Sequence, residues 1–245
     1  MHVPIIPRAA QSYCDSSIPS LRASGNQLLA LPVPSRELRH VIGALLVLFQ
    51  QYGPPLLLKS DNEFNTENLA VCLDEKQRSA LRRLAALLVE HGVVQLLSPP
   101  AWPRYNGAVE AGIGSFKTRA HHEAARHGHP GEWNCEDVEA ARLQANELAR
   151  PWGHQADTPE QAWQKRQATS PAQRTAFQES VQQLEQEARQ ERQKDLPPGV
   201  PLGPKDLASI RREAISRALI KHGLLLFRRR RFTLPLKRVI WANVS

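Results

Sequence analysis

Apolar residues recur along the chain at spacings that predict short strands alternating with longer helices. Residues 27–33 predict a strand, and the apolar positions between residues 38 and 49 have the three- and four-residue spacing of a helix. That helix is expected to end at the Gly-Pro-Pro sequence of residues 53–55, and residues 56–59 then predict a buried strand. A strand, a helix and a strand in this order favour a right-handed crossover between parallel strands.

The middle of the chain predicts further helices and one more strand. Residues 67–91 have mostly helical spacing, with a break at the charged residues 74–78 and Gly92 directly after the helix. Residues 93–97 predict a short strand. The remaining predicted helices cover residues 109–127, residues 135–149 with Asn134 as N-cap, and a short helix with Thr158 as N-cap and Pro159 at its first position.

The two ends of the chain have weaker patterns. Residues 1–26 contain scattered prolines and serines and are expected to be irregular. Residues 173–194 are rich in Gln, Glu and Arg and predict a solvated helix. A helix over 205–222 precedes alternating apolar and basic residues over 224–244. The expected organisation is an irregular segment (1–26), a core (27–166), a polar helical connector and linker (167–204) and a small basic module (205–245).

Composition permits a core of ordinary size and raises the question of an anionic partner. With 245 residues, 41% of them apolar, the chain suits one domain with appendages or two small domains. The formal net charge is +8 and the pI is about 9.8. Lys and Arg neutralise phosphates and release counterions, so a polyanion partner is one interpretation, and simple solubility is the other.

Cysteine usage and hydropathy point to the cytosol. Cys14, Cys72 and Cys135 are far apart and form no C-x-x-C pair, so a reducing compartment is expected. No apolar run approaches the roughly 20 residues of a membrane helix, and residues 1–10 lack the pattern of a secretory signal. We therefore expect a cytoplasmic protein without a membrane partner, associated with the nucleoid when it is bound to DNA.

Two carboxylates stand at the boundaries of predicted elements. Asp61 directly follows the strand over 56–59, which is where α/β sheets place functional groups. Glu110 begins a helix behind a loop rich in Pro and Gly. Such a layout can aim two hard oxygen ligands at one divalent metal ion. A turn or helix cap is the alternative role for Asp61, and stabilisation by the helix dipole is the alternative for Glu110.

Residues 27–166 resemble the catalytic core of DDE-type transposases and retroviral-type integrases. The resemblance is specific because several unusual elements occur in the family's order. They are an apolar strand, S-D-N at 60–62, a helix, G-V at 92–93, S-P-P at 98–100, P-R-Y-N-G-A-V-E at 103–110 and G-S-F-K at 114–117. The implied fold is an α/β ribonuclease-H-like core with an incomplete first strand, followed by a helical connector and a small basic C-terminal module.

The resemblance also implies residue roles and chemistry. Asp61 matches the second metal-binding acid of the family, Glu110 matches the third, and Lys117 matches the helix lysine that contacts DNA near the site. The implied cofactor is Mg²⁺ or Mn²⁺, and the implied reaction is phosphoryl transfer at DNA by a homo-oligomer. A plain surface lysine is the alternative interpretation of Lys117.

Further residues are candidates for DNA contact. Arg104 and Tyr105 suit a phosphate contact or stacking on a base, with packing against the sheet as the alternative for Tyr105. A basic run near the C-terminus suits phosphate binding, with a charged strand edge as the alternative; it consists of Arg228, Arg229, Arg230 and Arg231. The histidines at 121, 122, 127 and 129 lack a Cys2His2 arrangement and predict a polar helix face rather than a zinc site.

The chain departs from the family in three places. The family's earlier Asp has no clear counterpart, because only Asp15 precedes Asp61 and no apolar strand surrounds it. We therefore expect the first strand to be missing, through truncation or frame disruption. Glu63 stands where the family has Gly, and Glu110 follows Asp61 by 49 positions (61 to 110), which is longer than usual.

The predicted function is DNA integration and recombination by a transposase- or integrase-like protein, in a truncated or inactive copy. The rival prediction is a non-catalytic DNA-binding remnant that modulates an intact transposase through mixed oligomers. A third prediction, a helical interaction protein, would use the polar residues 183–193.

Overall fold

Helices dominate the chain, and two short pairs of strands accompany them. The computed structural model describes residues 20–23, 25–30, 37–66, 74–100, 105 and 107–225. It is a mixed α/β structure, mostly helical with a small parallel sheet. Residues 1–179 and 180–245 form separate units, which are described one at a time. The division into four parts that the sequence predicts stays a prediction.

The elements follow each other in a regular order. The strands are β1 (Ser20–Ala23), β2 (Asn26–Ala30), β3 (Leu57–Ser60) and β4 (Val94–Leu97), with a 3-10 turn at Asn62–Phe64 after β3. The helices of the first unit are α1 (Leu38–Tyr52), α2 (Glu75–Glu90), α3 (Gly107–Arg126), α4 (Cys135–Glu147) and α5 (Pro159–Gln164). Helix α6 (Pro171–Lys194) contains the boundary between the units, and α7 (Pro204–Lys221) belongs to the second unit.

The small parallel sheet consists of β3 and β4. Leu57 is in register with Val94, and Ser60 is in register with Leu97. Helix α2 lies between the two strands in sequence, so the connection returns the chain to the same end of the sheet, as a parallel pair requires. Both strand positions agree with the pattern of apolar residues. The carboxyl ends of β3 and β4 therefore lie at one edge, next to Asp61 and Ser98.

Strand β2 is paired differently from the prediction. The sequence predicts β2 parallel to β3, with residues 1–26 irregular. Instead, Ser20–Ala23 forms β1 and pairs with β2 in an antiparallel hairpin. On the side of β2 where the predicted parallel partner would pair, the Asn146 side chain takes its place. It accepts from the Gln27 N–H at 2.8 Å and donates to the Gln27 carbonyl at 2.9 Å. A side-chain amide thus occupies backbone groups that a neighbouring strand would need.

Two apolar clusters hold the first unit together. One lies where β2, α3 and α4 meet, and it consists of Ala30, Phe116, Ala120, Ala124, Trp133, Val138 and Ala141. The other joins α1, α2 and the start of β4 through Ile42, Leu45, Phe49, Leu84, Leu87, Leu88 and Val93, with Leu58 and Phe64 packed against it. Burial of these side chains supplies the main favourable free energy. The second cluster places β3, and hence Asp61, against α1 and α2.

The second unit contains the end of α6 and helix α7. Its buried apolar residues include Val181, Ile210 and Ile215. Glu185 is almost fully buried and accepts from Arg211 at 2.8 Å and from Arg189. The basic run at residues 228–231 and the alternating residues over 224–244, whose pattern predicts a small β-hairpin or edge strands, lie outside the described residues, apart from Leu224 and Leu225.

Helix ends follow the local sequence closely. Asn134 and Thr158 each form a capping box with the residue three positions later, Asp137 and Gln161 respectively. These caps confirm the predicted starts of α4 and α5. Among the described residues, every helix is too short or too polar to cross a membrane.

Candidate metal and nucleic-acid site

Asp61 occupies the first position after β3, and its carboxylate is not used to cap the turn that follows. Its backbone is extended (φ −76°, ψ 165°), and its side chain makes no capping hydrogen bond to the 3-10 turn Asn62–Phe64. Ser98, at the end of β4, donates its hydroxyl to Asp61 Oδ1 at 3.4 Å. The capping role that the sequence left open is therefore not the arrangement found.

Gln95 fixes the turn after Asp61, and sequence reasoning missed it. Its amide nitrogen donates to Ser60 Oγ at 2.9 Å and to the Phe64 carbonyl at 2.7 Å. Its amide oxygen accepts from the Thr66 hydroxyl at 2.7 Å and the Thr66 N–H at 3.3 Å. All four hydrogen-bonding positions of the amide are thus used. A lone polar residue inside the apolar run of β4 was the signal that could have identified it.

A second set of hydrogen bonds joins the ends of the two parallel strands. The Ser98 N–H donates to the Ser60 carbonyl at 3.0 Å, which extends the ladder by one residue beyond β4. Asn62 donates its side-chain amide to the Ser98 carbonyl at 2.9 Å. The S-D-N and S-P-P sequences are therefore in direct contact, although Asn62 and Ser98 are 36 positions apart. The edge that carries Asp61 is held from both strands.

Lys59 connects this edge with Tyr105, two positions before α3 begins. Its ammonium group donates to the Tyr105 carbonyl at 2.6 Å and lies 4.0 Å from the centre of the Tyr105 ring. Desolvation by partial burial lowers the pKa of Lys59, and the negative charge of Asp61 opposes that change. Tyr105 is half-buried and contacts Lys59 of β3, in line with the packing alternative, and stacking on a base stays a prediction.

Glu110 and Lys117 lie on α3. Glu110 is exposed in the first turn of the helix, five positions after Tyr105, and Lys117 is half-buried two turns further along. A negative charge in the first turn also stabilises a helix through its dipole. The position of Glu110 therefore fits both metal binding and helix stabilisation. Joint binding of one metal ion by Asp61 and Glu110 stays a prediction. Arg104 and Arg228, Arg229, Arg230 and Arg231 lie outside the described residues.

His127, His129 and Asp137 form a group with metal-ligand chemistry in the described part of the chain. Asp137 is fully buried and contacts His127 Nδ1 at 2.7 Å, and its other oxygen accepts from the Asn134 N–H at 2.9 Å. His129 Nδ1 lies 2.8 Å from the Glu132 carbonyl, so this nitrogen carries the proton. The protein's own hydrogen bonds thus use these atoms to join the end of α3 to the cap of α4.

Comparisons with known proteins leave the family unassigned. No protein-family model and no curated protein sequence matches the chain. Among solved structures, a chain in the cryo-EM structure of the simian T-cell lymphotropic virus intasome in complex with the PP2A regulatory subunit B56 gamma is similar. The match has 17% sequence identity and a TM-score of 0.42, and it covers 58% of this chain and 48% of that one. This chain therefore spans about half the length of that neighbour.

Proposed function

We propose that the protein binds DNA and holds a divalent metal ion at the carboxyl edge of β3 and β4, as a transposase- or integrase-like polynucleotidyl transferase. The observation that carries the proposal is the contact network at this edge. Asp61 follows β3 with its carboxylate outside any helix cap, and Lys59 ties the same strand to the chain entering α3. Glu110 then lies in the first turn of that helix. The proposal includes a ribonuclease-H-like core.

The residues at this edge fit a hard divalent ion in donor type. Carboxylate oxygens are the ligands that Mg²⁺ and Mn²⁺ prefer in proteins, and Asp61 and Glu110 are both exposed. When bound, such an ion would polarise a phosphate oxygen and lower the pKa of a bound water or hydroxyl. Asp61 and Glu110 would hold it, while Gln95 and Ser98 keep the Asp61 turn in place.

The distribution of charge supports a nucleic-acid partner. Residues 1–179 carry 18 basic and 18 acidic side chains, whereas residues 180–245 carry 14 basic and 6 acidic ones. The entire net charge of +8 therefore belongs to the second unit. A neutral first unit that contains the two candidate ligands, Asp61 and Glu110, and a basic second unit suit a division between metal binding and phosphate binding.

A non-catalytic DNA-binding protein is the second candidate. It is favoured by the small size of the proposed ligand set, which consists of the carboxylates of Asp61 and Glu110. Mg²⁺ needs near-octahedral oxygen geometry and gives up its water reluctantly, so two acids alone make a weak site. Under this alternative the basic second unit would bind DNA, and joining activity would be absent.

DNA binding is the first test. We expect duplex DNA to bind with little sequence preference and with an affinity that falls steeply as salt rises. Replacing the four arginines of residues 228–231 by alanine should reduce the slope of log affinity against log salt by up to about 0.9 for each phosphate that is no longer neutralised. A variant with four alanine substitutions at Arg8, Arg39, Arg82 and Arg83 provides the control for total charge. An unchanged slope in the 228–231 variant would assign that run to a solvated edge.

Strand joining separates the two candidates. A labelled DNA end is incubated with the protein in Mg²⁺ or Mn²⁺, beside the variants Asp61→Asn and Glu110→Gln. The transferase proposal predicts weak joining, favoured by Mn²⁺, that both substitutions abolish. Binding with no joining by any of the three proteins would support the non-catalytic candidate. Joining that survives both substitutions would refute the assignment of these two acids.

A further inference from the structure

We propose that Lys59 is a positioning residue that holds the start of α3 against the carboxyl end of β3. Its role in setting the two acids relative to each other rests on the proposed function, whereas the mechanical contact does not. The juxtaposition is specific: a strand residue two positions before Asp61 contacts a residue five positions before Glu110. A single side chain thereby spans the two segments that carry the acids.

The direction of the Lys59 side chain follows from the alternation of a strand. Neighbouring residues in β3 point to opposite faces. Leu58 packs against the apolar cluster formed by α1 and α2, so Lys59 projects from the other face of the strand. Tyr105 lies on that face, which the ammonium contacts show directly. An apolar residue at position 59 would keep β3 but could not reproduce this link.

Two contacts with Tyr105 make Lys59 different from an ordinary surface lysine. The ammonium nitrogen lies 2.6 Å from the Tyr105 carbonyl, a short distance of the kind that charge-assisted hydrogen bonds adopt. It also lies 4.0 Å from the centre of the Tyr105 ring, within the range of a cation–π interaction. Carbonyl and ring belong to the same residue, so together they restrict both the position and the rotation of the backbone entering α3.

Hydrogen–deuterium exchange of the intact chain tests the contact. The variants are Lys59→Met, which keeps the stem and removes the charge, and Lys59→Arg, which keeps a cation and a donor. Lys76→Met is the matched control, because Lys76 is an exposed lysine on α2 that pairs only with Glu37 among the ion pairs described. Exchange is followed in the peptide covering residues 105–114, with the α4 peptide over 135–147 as an internal reference.

The proposal predicts several-fold faster exchange in residues 105–114 of Lys59→Met, with α4 unchanged. Lys59→Arg should recover most of the protection, and Lys76→Met should match the wild type. Equal exchange in Lys59→Met and wild type would overturn the proposal, and so would an equal increase in both peptides, because that pattern reports general loosening. Mn²⁺ titration of the wild type and Asp61→Asn is run in parallel. Absence of Asp61-dependent binding would refute the proposed metal site while the exchange result still decides the role of Lys59.

Discussion

Gln27 and Gln95 are both almost fully buried, yet their side-chain amides are in opposite situations. Gln95, in β4, uses both donors and both acceptor positions in contacts with Ser60, Phe64 and Thr66. Within the residues that the structure describes, neither the Nε2 nor the Oε1 atom of Gln27 has a hydrogen-bond partner. A buried amide that is satisfied stabilises the fold, while one without partners costs the free energy of its desolvation.

Leucine at the two positions should therefore change stability in opposite directions. We expect Gln27→Leu to raise the free energy of unfolding by about 1–2 kcal/mol, because an unpaired buried amide is removed. Gln95→Leu should lower it by about 3 kcal/mol, because four hydrogen bonds disappear and their half-buried partners lose the Gln95 amide. Urea unfolding followed by circular dichroism measures both. Destabilisation of similar size in the two variants would show that Gln27 has a partner after all.

Single residues also show where sequence patterns stop being informative. The caps Asn134 and Thr158 could be predicted, since their chemistry depends on neighbours three positions away. The roles of Gln95, Asn146 and Lys59 could not, because each depends on a partner distant in sequence. Asp61 was identified by its place after a strand, but only the structure excludes its use as a cap.

Helices α3 and α4 are joined by a buried carboxylate as well as by apolar packing. Glu123 on α3 accepts from the Gln144 amide of α4 at 2.7 Å and from Arg126 at 3.0 Å. The hydrogen bond from Gln144 and, to a smaller extent, the contacts with Arg126 lower the pKa of Glu123 below its ordinary value of 4.5. The contact between the helices should therefore depend on pH.

Proton linkage gives the direction in which pH changes the stability. A carboxyl group with a lowered pKa in the folded state contributes stability above its unfolded pKa and loses it as pH falls through the folded pKa. Gln144→Leu should thus lower the free energy of unfolding most at neutral pH, and this loss should become smaller from about pH 4.5 downward. Urea unfolding across this pH range measures the loss. In a Glu123→Gln background the effect of Gln144→Leu should not vary with pH; if it does, another group is responsible.

The sequence predicts helices and strands more accurately than it predicts which strands pair. The positions of α1, α3, α4, α6 and α7 follow from apolar spacing and from Pro, Gly and cap residues. The parallel pairing of β3 with β4 fits the same pattern, whereas the pairing of β2 does not. A two-residue period indicates that a segment is a strand but carries no information on its neighbour. The Asn146 contact that occupies the Gln27 backbone comes from a helix 119 positions away.

Net charge is distributed unevenly along the chain. The first unit is neutral in sum and contains Asp61, Glu110 and Lys117, while the second unit carries the whole excess of Lys and Arg. The sequence as a whole shows only a mild basicity, which suits many proteins. The boundary between the units, at residues 179 and 180, shows that the excess belongs to one part.

Metal binding tests the candidate site at the ends of β3 and β4 most directly. Hydrogen bonds define this edge, and shared binding of one ion by Asp61 and Glu110 makes a prediction about affinity. Two acids that hold the same ion both contribute to the affinity for that ion, so either substitution should weaken binding of the same ion, and their effects need not add. Two acids at separate sites would each affect a different ion and leave binding of the other ion unchanged.

Titration with Mn²⁺, followed by the electron paramagnetic resonance signal of the free ion, decides between these cases. The proteins are the wild type, Asp61→Asn, Glu110→Gln and the double variant, with Asp74→Asn as the control, since Asp74 caps α2 and asparagine also caps. We expect each single substitution to weaken binding of the same Mn²⁺ ion by at least about tenfold, the double variant to bind no more tightly than the weaker single variant, and the control to match the wild type. Weakened binding in only one of the two single variants, or binding that neither substitution changes, would contradict a metal site shared by Asp61 and Glu110.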